Sequence, residues 1–465
     1  SKYYELLIGV DYKNSKALGK AMNEKPSDDS VNRVKCPMSL QDVDLFGPGA
    51  QEHWYDAYPI LHKDAPVYKL EGEGLLPGTD AYVLTKHEDI NTVVRDPERF
   101  PPLMMEAIQE MADTGVDVEK VPNLNAMSAS MVTLRPDMEM WRLHKQELTD
   151  PWVGPGAKRH TEMITRHVDE LIDNWIDKEE VEFISEFARP LPQRVMASVL
   201  GFPHEDIPRL AEWGEAQVKS FVYGRGHLNK LTDDEIKEQF VLLDGFKEYV
   251  QQQVEDKRRN PKDDMITFLT EVTYSPLGRK LTDLEVNGVV YAMIIGGLET
   301  TQYAIEEQAQ LICEHPGLFE RLKSGGPKLI RQFTEEGMRM RSPTQGLSTR
   351  RTSQPETFQG VSIPAGTVLH LRWAAANTDP DEFECPFELR LDRKAVTRHL
   401  TFSAGPRVCP GAGISRIEQQ VAWERLTERL SDIKYAPENK LLHQPGIMLG
   451  TLKLNLLVEA AKKGS

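Results

Sequence analysis

Cysteine is scarce in this chain, and so is positive charge. Only four cysteines occur among 465 residues, Cys36, Cys313, Cys385 and Cys409, and no two are close enough in sequence for a C-x-x-C zinc or redox motif. This number is too small for a disulfide-stapled scaffold. Lys and Arg total 56 against 72 Asp and Glu, which gives a net charge of −16. Because a nucleic-acid binder usually carries a basic stripe, the composition argues against that class.

Long apolar runs are missing as well. The longest near-apolar stretch, Val289 to Leu298, is about half of what a membrane-spanning helix needs. The first twenty residues mix charged and apolar side chains and contain no signal-peptide core. These features predict a soluble, cytoplasmic protein without a membrane span. No internal repeat and no linker rich in Gly or Ser divides the chain, so one large domain is favoured over several.

The hydrophobic periodicity is mostly helical. It is helical almost throughout residues 155–258. Capping boxes that begin at Thr85, Thr232 and Thr282 predict helix starts, and the helix after Thr282 is predicted to run without interruption to about Glu314. These patterns predict a mainly α fold.

A small β portion is predicted around residues 65–85 and 347–372. Within the second region, residues 361–369 predict a hairpin around the turn Pro364-Ala-Gly-Thr367. Residues 1–50 have no clear period and are predicted to form an irregular arm. The predicted organisation is therefore an arm over 1–50 and a catalytic domain over 51–465.

The sharpest local pattern is Phe402-Ser-Ala-Gly405-Pro-Arg407-Val-Cys409-Pro-Gly411. Glycines on both sides of the cysteine allow a tight turn in which backbone N–H groups face a sulfur. Helical spacing follows, so Cys409 would lie at a helix N-terminus, where the dipole stabilises a thiolate. Arg407 can pair with a carboxylate of a bound group. The pattern is typical of a thiolate metal ligand in a basic pocket; a buried structural cysteine is the alternative.

The same pattern resembles the cytochrome P450 signature, Phe-x-x-Gly-x-Arg-x-Cys-x-Gly, at all five fixed positions. The resemblance implies that Cys409 is the metal ligand of a haem, with Phe402, Arg407 and Gly411 among the haem-contacting residues.

A second motif, Gly296-Gly-Leu-Glu-Thr-Thr301, lies inside the long predicted helix. Two interior glycines cost about 1 kcal/mol each relative to Ala, so another group approaches the backbone closely or the helix opens locally. A glycine pair that serves helix packing is the alternative. The stretch is similar to the family's oxygen-activation motif. This similarity implies that Glu299 and Thr300 guide protons and that Gly297 contacts the haem.

Glu336-Gly-Met-Arg339 fits the family's Glu-x-x-Arg element, whose two side chains share one helix face. The usual third partner comes from a Pro-x-Arg-Phe pattern. Here the nearest match, which begins at Pro386, has Glu388 where Arg is expected, so Arg393 or another residue takes this place.

Trp141-Arg-Leu-His-Lys145 resembles an element that contacts a haem propionate, with Lys145 in place of an arginine. An ordinary amphipathic helix is the alternative. Arg407 is the first propionate candidate and Arg350 the second, with Arg351 left open.

The resemblance covers about residues 52–453 and implies the cytochrome P450 fold, with haem b between the long helix and the cysteine loop. The implied reaction inserts one oxygen atom of O2 into an unactivated C–H bond, while the other atom leaves as water. The sequence contains no flavin or iron–sulfur module, so electrons are expected from a ferredoxin or flavodoxin with its NAD(P)H-dependent reductase. Five basic residues near the cysteine loop could dock this carrier: Arg393, Lys394, Arg398, Arg407 and Arg416.

The positions that match the family's substrate contacts are mostly apolar, although core packing is the alternative for each. They are Met127, Met131, Phe221, Met293, Ile294, Leu347 and Met448. Together they predict a lipophilic small-molecule substrate of terpenoid, steroid or alkyl-aromatic type. Two competing hypotheses are a haem-thiolate sensor without oxygenase turnover and an unrelated helical scaffold with a buried Cys409.

Overall fold

The computed structural model describes residues 33–76, 78–115, 117, 126–222, 231–346 and 348–462. Fifteen helices of five or more residues occur in this part of the chain, besides short 3-10 and π-helical turns. In chain order they are α1 Trp54–Asp64, α2 His87–Arg95, α3 Leu103–Asp113, α4 Ala126–Leu134, α5 Met138–His144, α6 Thr161–Asp173, α7 Pro190–Leu200, α8 Ile207–Val222, α9 Asp233–Arg259, α10 Met265–Glu271, α11 Asp283–Gly297, α12 Thr300–Glu314, α13 Leu318–Met340, α14 Trp373–Asn377 and α15 Ala412–Arg429.

The strands of the described residues form small sheets, as the sequence predicted for a minor β portion. In chain order they are β1 Val67–Leu70, β2 Ala81–Leu84, β3 Glu180–Glu182, β4 Thr273–Tyr274, β5 Arg279–Lys280, β6 Ser348–Arg351, β7 Glu356–Phe358, β8 Val361–Ile363, β9 Val368–Leu371, β10 Leu430–Tyr435 and β11 Asn455–Ala460. The largest sheet has the order β1-β2-β9-β6, with β2 and β9 parallel. A second sheet has the order β10-β11-β3, and two-stranded ribbons join β4 to β5 and β7 to β8.

The hairpin predicted around Pro364–Thr367 is wrong. Strands β8 and β9 flank that turn but belong to different sheets, because β8 pairs with β7 while β9 lies between β2 and β6. The predicted turn itself is present, since Gly366 has φ of +80°, a backbone conformation that glycine adopts readily. Sheet partners from distant parts of the chain decide the pairing.

Two of the three predicted capping boxes are confirmed. Thr232 and Thr282 each accept a hydrogen bond from the backbone three residues ahead, and the Glu at that position bonds back. At Thr85 the box is wrong: its hydroxyl donates to Pro66 O, and α2 begins after Lys86.

The uninterrupted helix predicted from 283 to 314 is broken. It ends at Gly297 as α11 and resumes at Thr300 as α12, with Leu298 and Glu299 between them. Of the two explanations for the glycine pair, a close approach of another group and a local opening of the helix, the break corresponds to the second.

Most of the helices share one large apolar core, and a second core joins α1 to the main sheet. Val43, Leu45 and Ala50 are buried in this second core, so the described end of the predicted N-terminal arm packs into the fold. The proposed boundary at residue 50 falls inside the short 3-10 turn Ala50–Glu52. Residues 1–32 lie outside the described part of the chain.

None of the described helices combines the length and apolarity that crossing a membrane requires.

Candidate active site

Cys409 lies in a turn that leads directly into α15. Its backbone N–H donates to Phe402 O at 2.9 Å, and the backbone N–H groups of Gly411 and Ala412 bond its sulfur. Burial raises the pKa of the Cys409 thiol, while these N–H groups and the charges of Lys145 and Arg416 act in the opposite direction. The geometry is that predicted from the flanking glycines and the helix N-terminus.

A buried carboxylate on α13 links the segment before the cysteine turn to the helix after it. Glu335 on α13 accepts from Arg416 Nε at 2.5 Å and lies 2.8 Å from His399 Nε2. The Arg416 guanidinium in turn covers the Phe402 ring, 4.5 Å from its centroid. This contact holds the Phe402 side chain of the cysteine loop against α15.

Three arginines gather beside the cysteine turn. Arg135 and Arg407 both stack on the Trp141 ring, at 4.3 and 3.7 Å from its centroid, and Arg350 is buried close enough to repel Arg407. Burial lowers the pKa of Arg407 to about 8, with repulsion from Arg350 and Arg135 adding to it. Burial also lowers the pKa values of Arg350 and Arg135 to about 10.

These three guanidiniums have no carboxylate at ion-pair distance among the described residues. Buried cations without a counter-charge are costly, so the cluster suits anions that the described residues do not supply. The two propionates of haem b fit this requirement, and the sulfur of Cys409 fits its iron. The site residues therefore fit the cofactor.

Arg350 and Arg351, the two arginines left open as propionate contacts, differ in their protein partners. Arg351 lies 3.4 Å from Glu106 and so has a protein partner. Lys145, the other predicted propionate contact, begins a π-helical turn after α5, and its charge acts on Cys409. Arg135 was missed by the sequence analysis. Its only signal was a single arginine next to the apolar run that ends at Leu134.

The α11–α12 break holds the predicted proton-guiding pair. Thr300 Oγ1 donates to Gly296 O at 2.7 Å, and the Gly296 backbone is exposed, with no heavy atom near its missing Cβ. At Gly297 a Cβ would lie 2.7 Å from Met196, so helix packing explains this glycine. Thr301 Oγ1 donates to Ser415 Oγ at 2.9 Å, which fastens α12 to the first turn of α15.

Glu299 is held by a residue that sequence reasoning did not select. Tyr303 OH donates to Glu299 Oε2 at 3.1 Å and accepts from Gln444 Nε2 at 2.9 Å. Burial raises the pKa of Glu299 and the Tyr303 bond lowers it, while the nearby charges of Glu215 and Arg189 act in opposite directions. The sequence did offer a sign of this contact: Tyr303 follows Glu299 by four residues, and residues four apart share a helix face.

The Glu336–Arg339 pair is fully buried, and its third partner is Arg393. Arg339 forms two bonds of 2.8 Å to the Glu336 carboxylate, and Arg393 Nε lies 3.2 Å from both of its oxygens. Arg339 also donates to Asn377 O and Pro386 O. This triad ties α13 to the segment that leads into the cysteine loop.

The predicted substrate residues fall into three apolar groups. Met131 packs with Ile108 on α3 and with Met127. Met293 and Ile294 belong to the large core, which is the packing alternative. Met448 lies with Val218, Tyr303 and Ile295 near the α11–α12 break. Two further candidates, the side chain of Phe221 and the whole of Leu347, lie outside the described residues.

Only part of the predicted basic docking surface faces outward. Lys394 and Arg398 are exposed, whereas Arg393 and Arg416 are engaged with buried carboxylates and Arg407 stacks on Trp141. Arg393, Arg416 and Arg407 thus contact the triad, the cysteine loop and the cation cluster, and their role in docking stays a prediction.

The cytochrome P450 family model matches residues 328–458, which contain the triad and the cysteine loop. The chain is 25% identical over 401 residues to the polyketide biosynthesis cytochrome P450 PksS of Bacillus subtilis (84% of this chain, 93% of that protein). It is 28% identical to the biotin biosynthesis cytochrome P450 of the same organism (82% and 90%).

Solved structures agree on the fold. The epothilone B-bound cytochrome P450epoK superposes with a TM-score of 0.76 at 23% identity, covering 90% of this chain and 100% of that one. P450BioI, in complex with an acyl carrier protein ligated to hexadec-9Z-enoic acid, gives 0.74 at 24% identity (88% and 99%). The thiolate turn, the cation cluster and the buried triad therefore lie in a chain that has the cytochrome P450 fold and whose residues 328–458 match the cytochrome P450 family model.

Proposed function

We propose that the protein is a haem-thiolate monooxygenase that hydroxylates a C–H bond of a lipophilic small molecule, and that residues 51–465 form its catalytic domain. The observation that carries the proposal is the Thr301–Ser415 hydrogen bond. It joins the residue next to Thr300 to the first turn of the helix that follows Cys409, so the acid–alcohol pair and the thiolate belong to one site. When bound, haem supplies the activation of O2 and the transfer of one oxygen atom to the substrate.

The side chains of the α11–α12 break supply protons for that reaction. Burial favours the protonated form of Glu299, which therefore can hold a proton at a carboxyl oxygen. Thr300 donates its own hydrogen to Gly296 O, so its Oγ1 lone pairs remain available to accept a hydrogen bond from a group that carries the proton. Tyr303 fixes the orientation of Glu299.

The substrate is proposed to lie against the apolar group around Met448. Ile295, Val218 and Met448 meet there beside Glu299, and methionine adapts to ligands of different shape. A terpenoid, steroid or alkyl-aromatic skeleton fits such a lining. Two other substrate classes are suggested by the names of similar proteins. They are polyketides and acyl chains bound to a carrier protein.

Electrons are proposed to come from a ferredoxin or flavodoxin with its NAD(P)H-dependent reductase, in the cytoplasm. Lys394 and Arg398 remain exposed near the cysteine loop. Arg142 is exposed on α5, the helix that carries Trp141. These cations suit an acidic carrier, whose association should weaken as salt rises.

The first test is the carbon monoxide difference spectrum of the reduced holoenzyme, followed by ligand titration. A thiolate-ligated haem gives the strongly red-shifted Soret band, and Cys409→Ser should lose it. A panel of terpenoid, steroid, alkyl-aromatic, polyketide and fatty-acyl ligands should then produce a spin-state shift with the lipophilic ring systems. Shifts with fatty acids alone would overturn the substrate proposal. NAD(P)H consumption without any product would favour a sensor.

A further inference from the structure

A cluster of metal-ligating side chains lies far in sequence from the haem-binding residues. Cys36 belongs to the segment before α1, His53 is the N-cap residue of α1, and Asp56 lies on its first turn. Their donor atoms are all within 4.8 Å of one another. His53 Nδ1 is 3.4 Å from Asp56 Oδ2, and the Cys36 thiol bonds the Asp56 carboxylate.

These distances suit a tetrahedral ion. Zinc bonds of about 2.0–2.3 Å place neighbouring ligand atoms roughly 3.3–3.7 Å apart, which the His53–Asp56 pair already satisfies. Cys36 is exposed, so rotation of its side chain can bring the sulfur to the same spacing. A thiolate and a carboxylate together balance the charge of Zn²⁺, and imidazole is a ligand that zinc favours.

We propose that Cys36, His53 and Asp56 bind one Zn²⁺, with the fourth coordination position open to solvent. The ion would fasten the segment around Cys36 to the first turn of α1. That segment already leads into the second core, where Trp54 Nε1 donates to Leu45 O at 2.9 Å. Zinc therefore stabilises the folded position of the segment around Cys36 by mass action, since the unfolded chain does not hold the three ligands together.

The experiment uses the haem-loaded, chelator-treated full chain and measures cysteine alkylation by peptide mass spectrometry with and without zinc. Cys385 is the internal control, because it is also exposed but lies outside the cluster. With zinc at about ten times its Kd, alkylation of Cys36 should slow about tenfold. Alkylation of Cys385 should keep its rate.

Variants provide the second readout. Cys36→Ala, His53→Ala and Asp56→Asn should each bind one zinc equivalent fewer than the parent, and Cys385→Ala should bind the same amount. An unchanged carbon monoxide difference spectrum shows that each variant is folded. Equal alkylation of Cys36 with and without zinc would overturn the proposal. So would equal zinc content in the parent and in Cys36→Ala.

Discussion

At the scale of single residues, three neighbouring hydroxyls on α12 have three different partners. Thr300 bonds the exposed backbone of Gly296, Thr301 bonds Ser415 inside the protein, and Tyr303 bonds Glu299. Because each hydroxyl has its own partner, substituting one residue at a time measures what each hydroxyl contributes to turnover.

Thr300→Ala should raise the peroxide released per NAD(P)H consumed several-fold, because the hydroxyl that passes protons onward is removed. Thr300→Ser keeps the oxygen and should stay close to the parent. Peroxide and product are measured together during turnover with the redox partner. Unchanged coupling in the alanine variant would remove Thr300 from the proton path.

Tyr303→Phe should shift the pH dependence of coupled turnover to higher pH. The lost hydrogen bond stabilised the Glu299 carboxylate, so the pKa of Glu299 rises further without it. The phenyl ring keeps the contacts with Val218 and Met448.

A double-variant comparison checks this assignment. In the Glu299→Gln background, Tyr303→Phe should produce no additional change, because the group on which it acts is gone. An additive loss would mean that the tyrosine acts only through packing.

At the scale of elements, the triad holds α13 to the segment before the cysteine loop through one fully buried carboxylate. Arg393→Met leaves Glu336 with one cation fewer, and breaking a buried pair in this way costs about 3–5 kcal/mol. We expect a lower melting temperature and faster haem loss. Arg390→Met is the matched control, since among the described residues its side chain forms ion pairs with the exposed Glu384 and Glu388 and with no buried carboxylate. Equal effects of the two substitutions would contradict the role of Arg393.

Local sequence patterns predicted the turns and helix starts better than they predicted which distant residues and strands contact one another. The turn around Cys409 and two capping boxes depend on residues a few positions apart, which a sequence displays directly. Arg135 and the sheet partners of β8 and β9 depend on contacts between distant segments, which no local period records. Arg393 could be named only as one option, because its neighbour Glu336 lies on another element.

At the scale of the whole molecule, His443 connects the short turn Ala50–Glu52 with α12, two elements that are far apart in sequence. Its Nδ1 lies 2.9 Å from Glu52 and its Nε2 lies 3.3 Å from Glu307 on α12. Burial alone would lower the pKa of His443, but the two carboxylates outweigh it and raise the pKa to about 10.

This raised pKa makes a pH-dependent contribution to stability. A histidine whose pKa is higher in the folded state stabilises the fold fully below its unfolded value of 6.5, and the contribution disappears as pH rises through about 10. His443→Gln should therefore be less stable than the parent near pH 6, with the difference shrinking towards pH 10. Urea unfolding of the holoenzyme across this range measures it; a constant difference would contradict the assignment.

The parallel pairing of β2 with β9 and the antiparallel pairing of β3 with β11 join strands that are far apart in sequence, which has a consequence for biosynthesis. A ribosome has released β2 and β3 long before it makes the strands that complete their sheets. Such distant pairings form slowly and leave unpaired strand edges exposed in the meantime. Cys409 also emerges after β2, β3 and the helices α1 to α14, so the nascent chain cannot retain its cofactor before these elements have been made. Haem supply and chaperone capacity while these late segments emerge will therefore limit the yield of haem-loaded protein.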